Sequence, residues 1–479
     1  MLKNEWRWCE KATETKTFST LIDEFGVYYS ITLKFRKYTL KIYDSFKLLP
    51  MSEEKIAKSF KLNTIKGKID YDKWRDETYK ATHEEIAYIK NDCYIMREGL
   101  KFFFNENLTK ITIASNALNN FKQSLDFDFR KVFPVLSTEL DDEIRRYYKG
   151  GFCYAVKSLA NKIVHDITVY DVNSLYPYVM YVNDYPCGIP IYFKGKYNGK
   201  SKMTLHHIKS CFILKEGYLP TVQIKNSTNF VETEYLIDSD GIEADLYLPY
   251  YDLQLFLEHY NIITITYIDG YEFKTISNLF TSYIDFWIKV KQENTGGLRE
   301  LAKLMLNSLY GKFATRTKRI SKRPYIEDDV LHYEKLPVEI TEPIYTAVSV
   351  FVTSYARYHT ITTAQKFHSQ GRLLYCDTDS IHIMGKFTNG IKVDNKELGA
   401  WKKEEVFYEA KYLHAKCYYG YDRENKEKYI KVAGLPKSKE IKQIINITNF
   451  ERGFSYGNCL KSKQINGGTA LCQRPFQIR

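Results

Sequence analysis

The nine cysteines of this chain are scattered, with no Cys-x-x-Cys pair and no Cys/His cluster at zinc spacing. That excludes a zinc module and predicts reduced thiols in a cytosol. No stretch reaches the roughly 18 apolar residues of a membrane helix. The longest candidate, 347–352, runs into Thr353, Ser354 and Arg357. Residues 1–10 are charged and lack an apolar core, which predicts no secretory leader. Repeats of solenoid length and low-complexity linkers are missing too. The chain is therefore expected to act in a cytoplasm.

What is present is a large, basic, core-forming polypeptide. Its 479 residues suffice for two to four compact units. Apolar residues make up 44% and charged residues 27%, so it can bury cores and is not a disordered protein. The formal net charge of +12 favours polyanionic partners, of which nucleic acid is the commonest.

Residues 1–112 mix short strands at 28–35 and 39–43 with a strong helix over 83–104. Thr82 at its N-cap and Glu85 three residues on form a capping-box pattern. A strand is predicted at 167–172, ending in the turn Asn173-Ser174. Residues 183–278 are rich in Gly, Pro and short strand-like runs, and 280–313 reads as two helices broken at Thr295-Gly296-Gly297. The charged segment 315–347, with Pro324, Pro337 and Pro343, suggests a hairpin insertion that turns at Pro324. A helix follows, then a strand–turn–strand over 373–383, then short strands and turns beyond about 445.

The chemistry concentrates in three places. Tyr375-Cys376-Asp377-Thr378-Asp379-Ser380 puts two carboxylates at i and i+2 on a hairpin turn. Held that close they repel, unless a cation lies between them. Magnesium takes one or two protein carboxylates plus phosphates. Taken alone, the motif is also an ordinary Asp-rich turn. A third acid, Asp171, ends an apolar strand row of Ile167 and Val169, a costly place without a partner or metal. Three such acids can hold two ions that clamp the attacking and leaving oxygens of a phosphoryl transfer. The third place is the run 298–312. There Arg299, Lys303, Asn307 and Tyr310 form one helical stripe over a buried side of Leu301, Leu304, Met305 and Leu309, with Lys291 on the preceding helix. Its cations would suit a triphosphate, and Tyr310 a base.

At these residues the sequence resembles the family B DNA polymerases. Asp171 to Pro177 is similar to motif A, Lys303 to Gly311 to motif B, and Tyr375 to Ser380 to motif C, in the family's order. The protein-primed branch, the phi-29-type phage enzymes, matches more closely. Tyr148-Lys149-Gly150-Gly151 resembles its Tyr-x-Gly-Gly element, Thr353 to Arg357 a template-contacting motif, and Lys416-Cys417-Tyr418 its Lys-x-Tyr motif. The resemblance runs from about residue 42 onward.

The resemblance implies roles. Asp171 and Asp379 ligate two magnesium ions, Asp377 sits beside them, and the carbonyl of Val172 completes one shell. Tyr176 excludes a 2′-hydroxyl. Lys291 and Lys303 neutralise the triphosphate, while Asn307 and Tyr310 line the base-pair pocket. Tyr148, Gly150, Gly151, Thr353 and Arg357 contact template, and Lys416 and Tyr418 steady the primer end.

The expected fold is α+β, a right hand of palm, fingers and thumb behind a truncated, ribonuclease-H-like exonuclease domain, with two insertions. The units are 1–112 exonuclease-like, 113–182 palm, 183–278 an insertion docking a terminal protein, and 279–314 fingers. A strand-displacement insertion follows at 315–347, then palm again at 348–444 and thumb at 445–479. The expected enzyme is a monomer that extends primers on template DNA from deoxynucleoside triphosphates, starting on a terminal protein, for a linear phage or plasmid genome. Intact Asp171, Asp377 and Asp379 oppose the alternative of an inactive DNA-binding relic. Of a second alternative, a nuclease or an RNA-making nucleotidyl transferase, Tyr176 opposes ribonucleotide use and the missing exonuclease acids oppose a nuclease. Lys66, Tyr88 and Asp92 match the third exonuclease motif and its accessory lysine, but the first two motifs are absent. Proofreading is therefore expected to be absent, and the N-terminal domain is expected to be truncated and to expose an apolar edge.

Overall fold

The computed structural model describes residues 2, 5–64, 67–70, 75, 78–224, 235–387, 390–435, 439–465 and 468–478. At its centre is a seven-stranded antiparallel sheet. In spatial order its strands are Glu427–Lys431, Cys417–Asp422, Trp401–His414, Ile163–Val172, Ser380–Met384, Leu373–Asp377 and Cys153–Ala155. Over 167–172 the middle strand is covered on both faces, so apart from Thr168 and Asp171 its residues there are apolar. Ile167 and Val169 pack with Leu374, Tyr375, Phe407 and Tyr412 on one side. Tyr170 and Val172 join the larger core on the other. Against that larger core lies the helix Thr346–His368, buried without interruption over 345–357. A helix apolar all round belongs in an interior. Among the described residues no helix is long and apolar enough to cross a membrane.

The helices Thr281–Glu293 and Gly297–Phe313 stand where the sequence places them. Gly296 makes the break possible. Its φ is +65°, and a Cβ there would lie 2.3 Å from the backbone oxygen of Ser59. That contact ties the pair to the short helix Glu53–Ser59. The helix His83–Asn105 begins with the expected capping box, in which Thr82 and Glu85 satisfy each other's backbone N–H.

Elsewhere the structure corrects the sequence reading. Residues 183–278 hold longer strands than their Gly and Pro content suggests. Tyr185–Lys194, Tyr260–Ile276, Thr204–Leu214 and Ala244–Pro249 form one antiparallel sheet in that order. Bulges in the longest strand let it bend without ending. In 315–347 the hairpin pairs Lys322–Glu327 with Val330–Lys335, but it turns at Asp328-Asp329, both left-handed, and not at Pro324. Pro324 sits inside the ladder opposite Tyr333, tolerated because the ladder has only two strands.

The N-terminal sheet runs Arg7–Trp8, Thr17–Ile22, Tyr28–Lys34 and Thr39–Tyr43. Its outer strand is exposed throughout, Leu40, Ile42 and Tyr43 included. The sheet leans on the 315–347 hairpin: the Tyr28 and Tyr333 hydroxyls are 3.0 Å apart, and Arg316 pairs with Glu24. Between them opens a cavity of about 1000 Å³ whose lining includes Leu21, Phe25, Tyr29, Arg145, Arg316 and Arg319.

Candidate active site

Cross-strand register puts Lys402, Asp171, Ser380, Asp377 and Cys153 in one row on one face of the central sheet. Asp379 occupies the tight turn of the hairpin beside this row. The turn is fixed from three sides. Val172 N–H donates to the Asp379 carbonyl at 2.8 Å, Thr378 N–H to the Phe152 carbonyl at 2.7 Å, and the Thr360 hydroxyl to the Thr378 carbonyl at 2.7 Å. Thr378 is left-handed, with φ of 60°. Gly151 makes room for it, since a Cβ there would lie 2.7 Å from Thr378 Oγ1. The small residue at 151 thus serves the acidic turn itself, whereas nothing lies within 4 Å of a Cβ placed at Gly150.

Burial pushes the Asp171 carboxyl up to about 8, with the charge of Asp379 as the next cause and Glu404 behind it, against the pull of Lys402. Asp379 is raised as well, by burial and then by Asp377. Two half-buried carboxylates whose ionisation is held back by burial and by neighbouring acids suit a divalent cation, which reverses both effects. Among the described residues no group of three or more His, Cys, Asp or Glu is arranged to hold a metal. Two carboxylates are a donor set that fits an ion which also takes phosphate oxygens. Asp377 is engaged differently: Lys416 Nζ lies 3.3 Å from it, and the Tyr375 hydroxyl donates to it at 3.4 Å.

On the other flank of Asp171 stands a basic group. Lys291 Nζ donates to Ser174 Oγ at 2.7 Å, and Arg299 donates to the Lys291 carbonyl at 2.7 Å. Burial lowers the Lys291 ammonium, and Arg299, Lys303 and Lys402 lower it further by like charge. Lys303 pairs with Glu300 at 2.8 Å, which also receives Lys55 at 2.8 Å. Further along the same helix Asn307 is exposed, and Tyr310 stacks on Tyr176 with centroids 4.2 Å apart and planes at 21°. Burial and then the charge of Tyr310 raise the Tyr148 phenol.

Two expected DNA contacts prove to be interior. Thr353 is buried, with its hydroxyl turned to the Ser349 and Val350 carbonyls of its own helix. Arg357 is only 2% exposed. It forks onto Asp252 at 2.7 and 2.8 Å and donates to the carbonyls of Lys149 and Gly150 at 2.9 and 2.8 Å. A buried guanidinium needs such a partner, and breaking a pair like this costs about 3–5 kcal/mol. Arg357 therefore pins the Tyr-x-Gly-Gly loop and is out of reach of a strand. Sequence reading missed Asp252, whose acidic side chain on an apolar helix was the only signal. Lys416 is exposed, while Tyr418 packs among Tyr375, His382 and Tyr412, and burial pushes its phenol up to about 12. Tyr88 is buried and Asp92 lies one turn on along the same helix; Lys66 lies outside the described residues.

Such a sheet and site define a polymerase, and comparison with known proteins agrees. A sequence model of the family described as DNA polymerase type B, organellar and viral, matches residues 73–386. The chain belongs to this family of DNA polymerases and is similar over its whole length to phage enzymes. The DNA polymerase of Bacillus phage phi29 is 41% identical, covering 100% of this chain and 87% of that protein. That of Streptococcus phage Cp-1 is 37% identical, covering 96% and 82%. The structure of phi29 DNA polymerase complexed with primer-template DNA and incoming nucleotide substrates matches with a TM-score of 0.90 at 40% identity, covering 100% of this chain and 88% of that one. The chain is thus a DNA-directed DNA polymerase of phage replication type, with the phi29 enzyme's α+β architecture.

Proposed function

We propose that this polymerase works by two-metal nucleotidyl transfer and starts its strands on the hydroxyl of a terminal protein. The observation that carries the mechanism is the pair Asp171 and Asp379, half-buried and both held up, Asp171 by burial and Asp379, Asp379 by burial and Asp377, beside the cations of Lys291, Arg299 and Lys303. Asp171, Asp379 and the Val172 carbonyl would hold two magnesium ions. When bound, these supply charge for the attacking and leaving oxygens. Lys291 and Lys303 neutralise the triphosphate, and a phosphate oxygen displaces Ser174 or Glu300 as their partner. Tyr176, held in place by its stack on Tyr310, fills the space that a 2′-hydroxyl would need. Asn307 and Tyr310 face the nascent pair. Lys416, parked on Asp377, and Tyr418 steady the primer end. Gly150 gives open backbone for template, with Tyr148 beneath and Arg357 holding the loop from inside.

In this reading 113–182 and 348–444 form the palm, 279–314 the fingers and 445–479 the thumb. The long-stranded sheet of 183–278 docks the priming protein, and the hairpin of 315–347 splits the downstream duplex. The enzyme acts as a monomer in a host cell's cytoplasm. Labelled deoxynucleotide should become covalently attached to a co-encoded basic protein when that protein, this chain, template and magnesium are mixed. No such adduct with any neighbouring gene product would leave DNA or RNA priming.

Residues 1–112 form an exonuclease-like unit in which Tyr88 and Asp92 carry the third motif, while no Asp-x-Glu occurs in 1–60. One carboxylate cannot hold two divalent ions. With magnesium and no nucleotides, this chain should leave a labelled, mismatched 3′ end intact. Steady excision that disappears in Asp92→Ala would refute that.

A further inference from the structure

We infer that Lys402 is a further nucleotide-binding residue of this polymerase, a cation that contacts the β,γ-phosphates of the incoming nucleotide and the departing pyrophosphate. The inference rests on the reading of Asp171 and Lys291 given above. Neither its sequence context nor its motifs single this lysine out. It opens the run Lys402-Lys403-Glu404-Glu405, which looks like an ordinary solvated face.

Placement is the first argument. Lys402 is the direct cross-strand partner of Asp171, so both side chains leave the sheet on the same face. Its backbone is locked to motif A. Trp401 pairs with Val172. Asn173 donates from its side chain to the Asp394 and Glu397 carbonyls, and Gly399 N–H returns to the Asn173 carbonyl at 3.0 Å. The loop that delivers Lys402 is thus held by the residue two after Asp171.

Polarity is the second. The row of acids has one lysine at each end. Lys416 lies beyond Asp377, on the flank assigned to the primer. Lys402 lies beyond Asp171, and its charge is felt by Lys291, as are those of Arg299 and Lys303, while that of Lys416 is not among them. Lys402 therefore belongs with the triphosphate cations and not with the primer side.

Lys402 also keeps a partner it can give up. Lys402 Nζ sits 2.7 Å from Glu404, with side chains 35% and 41% exposed. Lys303 sits 2.8 Å from Glu300 in the same manner. Partly exposed pairs of this kind are weak and exchange readily for a more highly charged acceptor. A polyphosphate offers one, with more charge and several oxygens. Two lysines, one on the helix Gly297–Phe313 and one on the central sheet, each parked on a neighbouring glutamate, form a clamp that closes on phosphate.

The test is equilibrium binding of the correct deoxynucleotide to a complex of the enzyme with chain-terminated primer and template, in calcium so that no chemistry intervenes. Lys402→Gln should raise the nucleotide Kd by about ten-fold, about 1.4 kcal/mol, and weaken pyrophosphate in the reverse reaction similarly. Lys402→Arg should recover most of the affinity, because the charge and reach are kept. Lys402→Met keeps an aliphatic stem of similar length and should behave like the Gln variant, which separates lost charge from lost packing. A nucleotide Kd within about two-fold of the parent's in both neutral variants would overturn the inference. So would a defect that disappears at saturating divalent ion, since Lys402 would then act only through Asp171. If the parent complex itself bound no nucleotide, the reading of Asp171 and Lys291 would fall, and this one with it.

Discussion

At the scale of the residue, surroundings decide what the key side chains can do. Tyr176 is held by a stack on Tyr310 at 4.2 Å, so its position does not depend on a flexible rotamer. Tyr176→Val should admit ribonucleotides, with discrimination between ribo- and deoxynucleotide falling by about ten-fold or more, and deoxynucleotide use harmed much less. Unchanged discrimination in steady-state incorporation would make Tyr176 mere packing. The three acids were legible in the sequence because each breaks a local rule: an acid on an apolar strand, and carboxylates crowded on a turn. The basic stripe alone reads as an ordinary amphipathic helix and gains meaning only from their company. Arg357 was legible as special but not in its role. A sequence does not tell an arginine that faces DNA from one that must be buried with a distant acid, and Asp252 is far away along the chain. Lys402 was hidden for the opposite reason, since charge runs on strand edges are ordinary.

At the scale of the element, capping and turn chemistry fixed most boundaries, and long-range pairing decided the rest. The helix from His83 and the break at Gly296 could be read directly. The turn at Asp328-Asp329 could not, because Pro324 drew attention and a two-stranded ladder tolerates proline within a strand. The strands of 183–278 looked short because their bulges and glycines resemble ends. One contact between elements carries a prediction. Arg145 donates to the Ala314 and Thr315 carbonyls at 2.8 and 3.2 Å and to Thr346 Oγ1 at 2.9 Å, while pairing with the fully buried Asp141. It thereby holds both ends of the 315–347 hairpin segment. Arg145→Lys keeps a charge for Asp141 but loses the fork. Gap filling should survive within a few-fold, and synthesis through a downstream duplex should fall by about ten-fold. Equal displacement by the variant and the parent, measured on a blocked template, would show that the segment needs no such anchor.

At the scale of the whole molecule, stability and activity draw on the same buried groups. Burial pushes His206 and His359 down to about 4 and His382 down to about 3. Each folded-state value lies below the ordinary 6.5, so the unfolded chain binds more protons between them. The stability these rings contribute is complete above pH 6.5 and is lost as pH falls toward 4, by about 1.4 kcal/mol per pH unit for each group. Asp171 acts with the opposite sign: raised to about 8, it costs the metal-free fold stability as pH rises. The three histidines outweigh it below neutrality. Urea midpoints should therefore drop between pH 7 and pH 5.5, and equal midpoints would contradict the burial of these rings. Above neutrality divalent ions should add stability through Asp171 and Asp379. In the proposed mechanism these two carboxylates carry the chemistry of polymerisation. The direct measurement is extension of a primer on a DNA template with magnesium and deoxynucleotides by the parent, Asp171→Asn and Asp379→Asn, alongside their affinities for the same primer–template. The parent should extend, and both variants should lose at least about a thousand-fold in rate while still binding DNA. Near-parental extension by either variant would contradict the account.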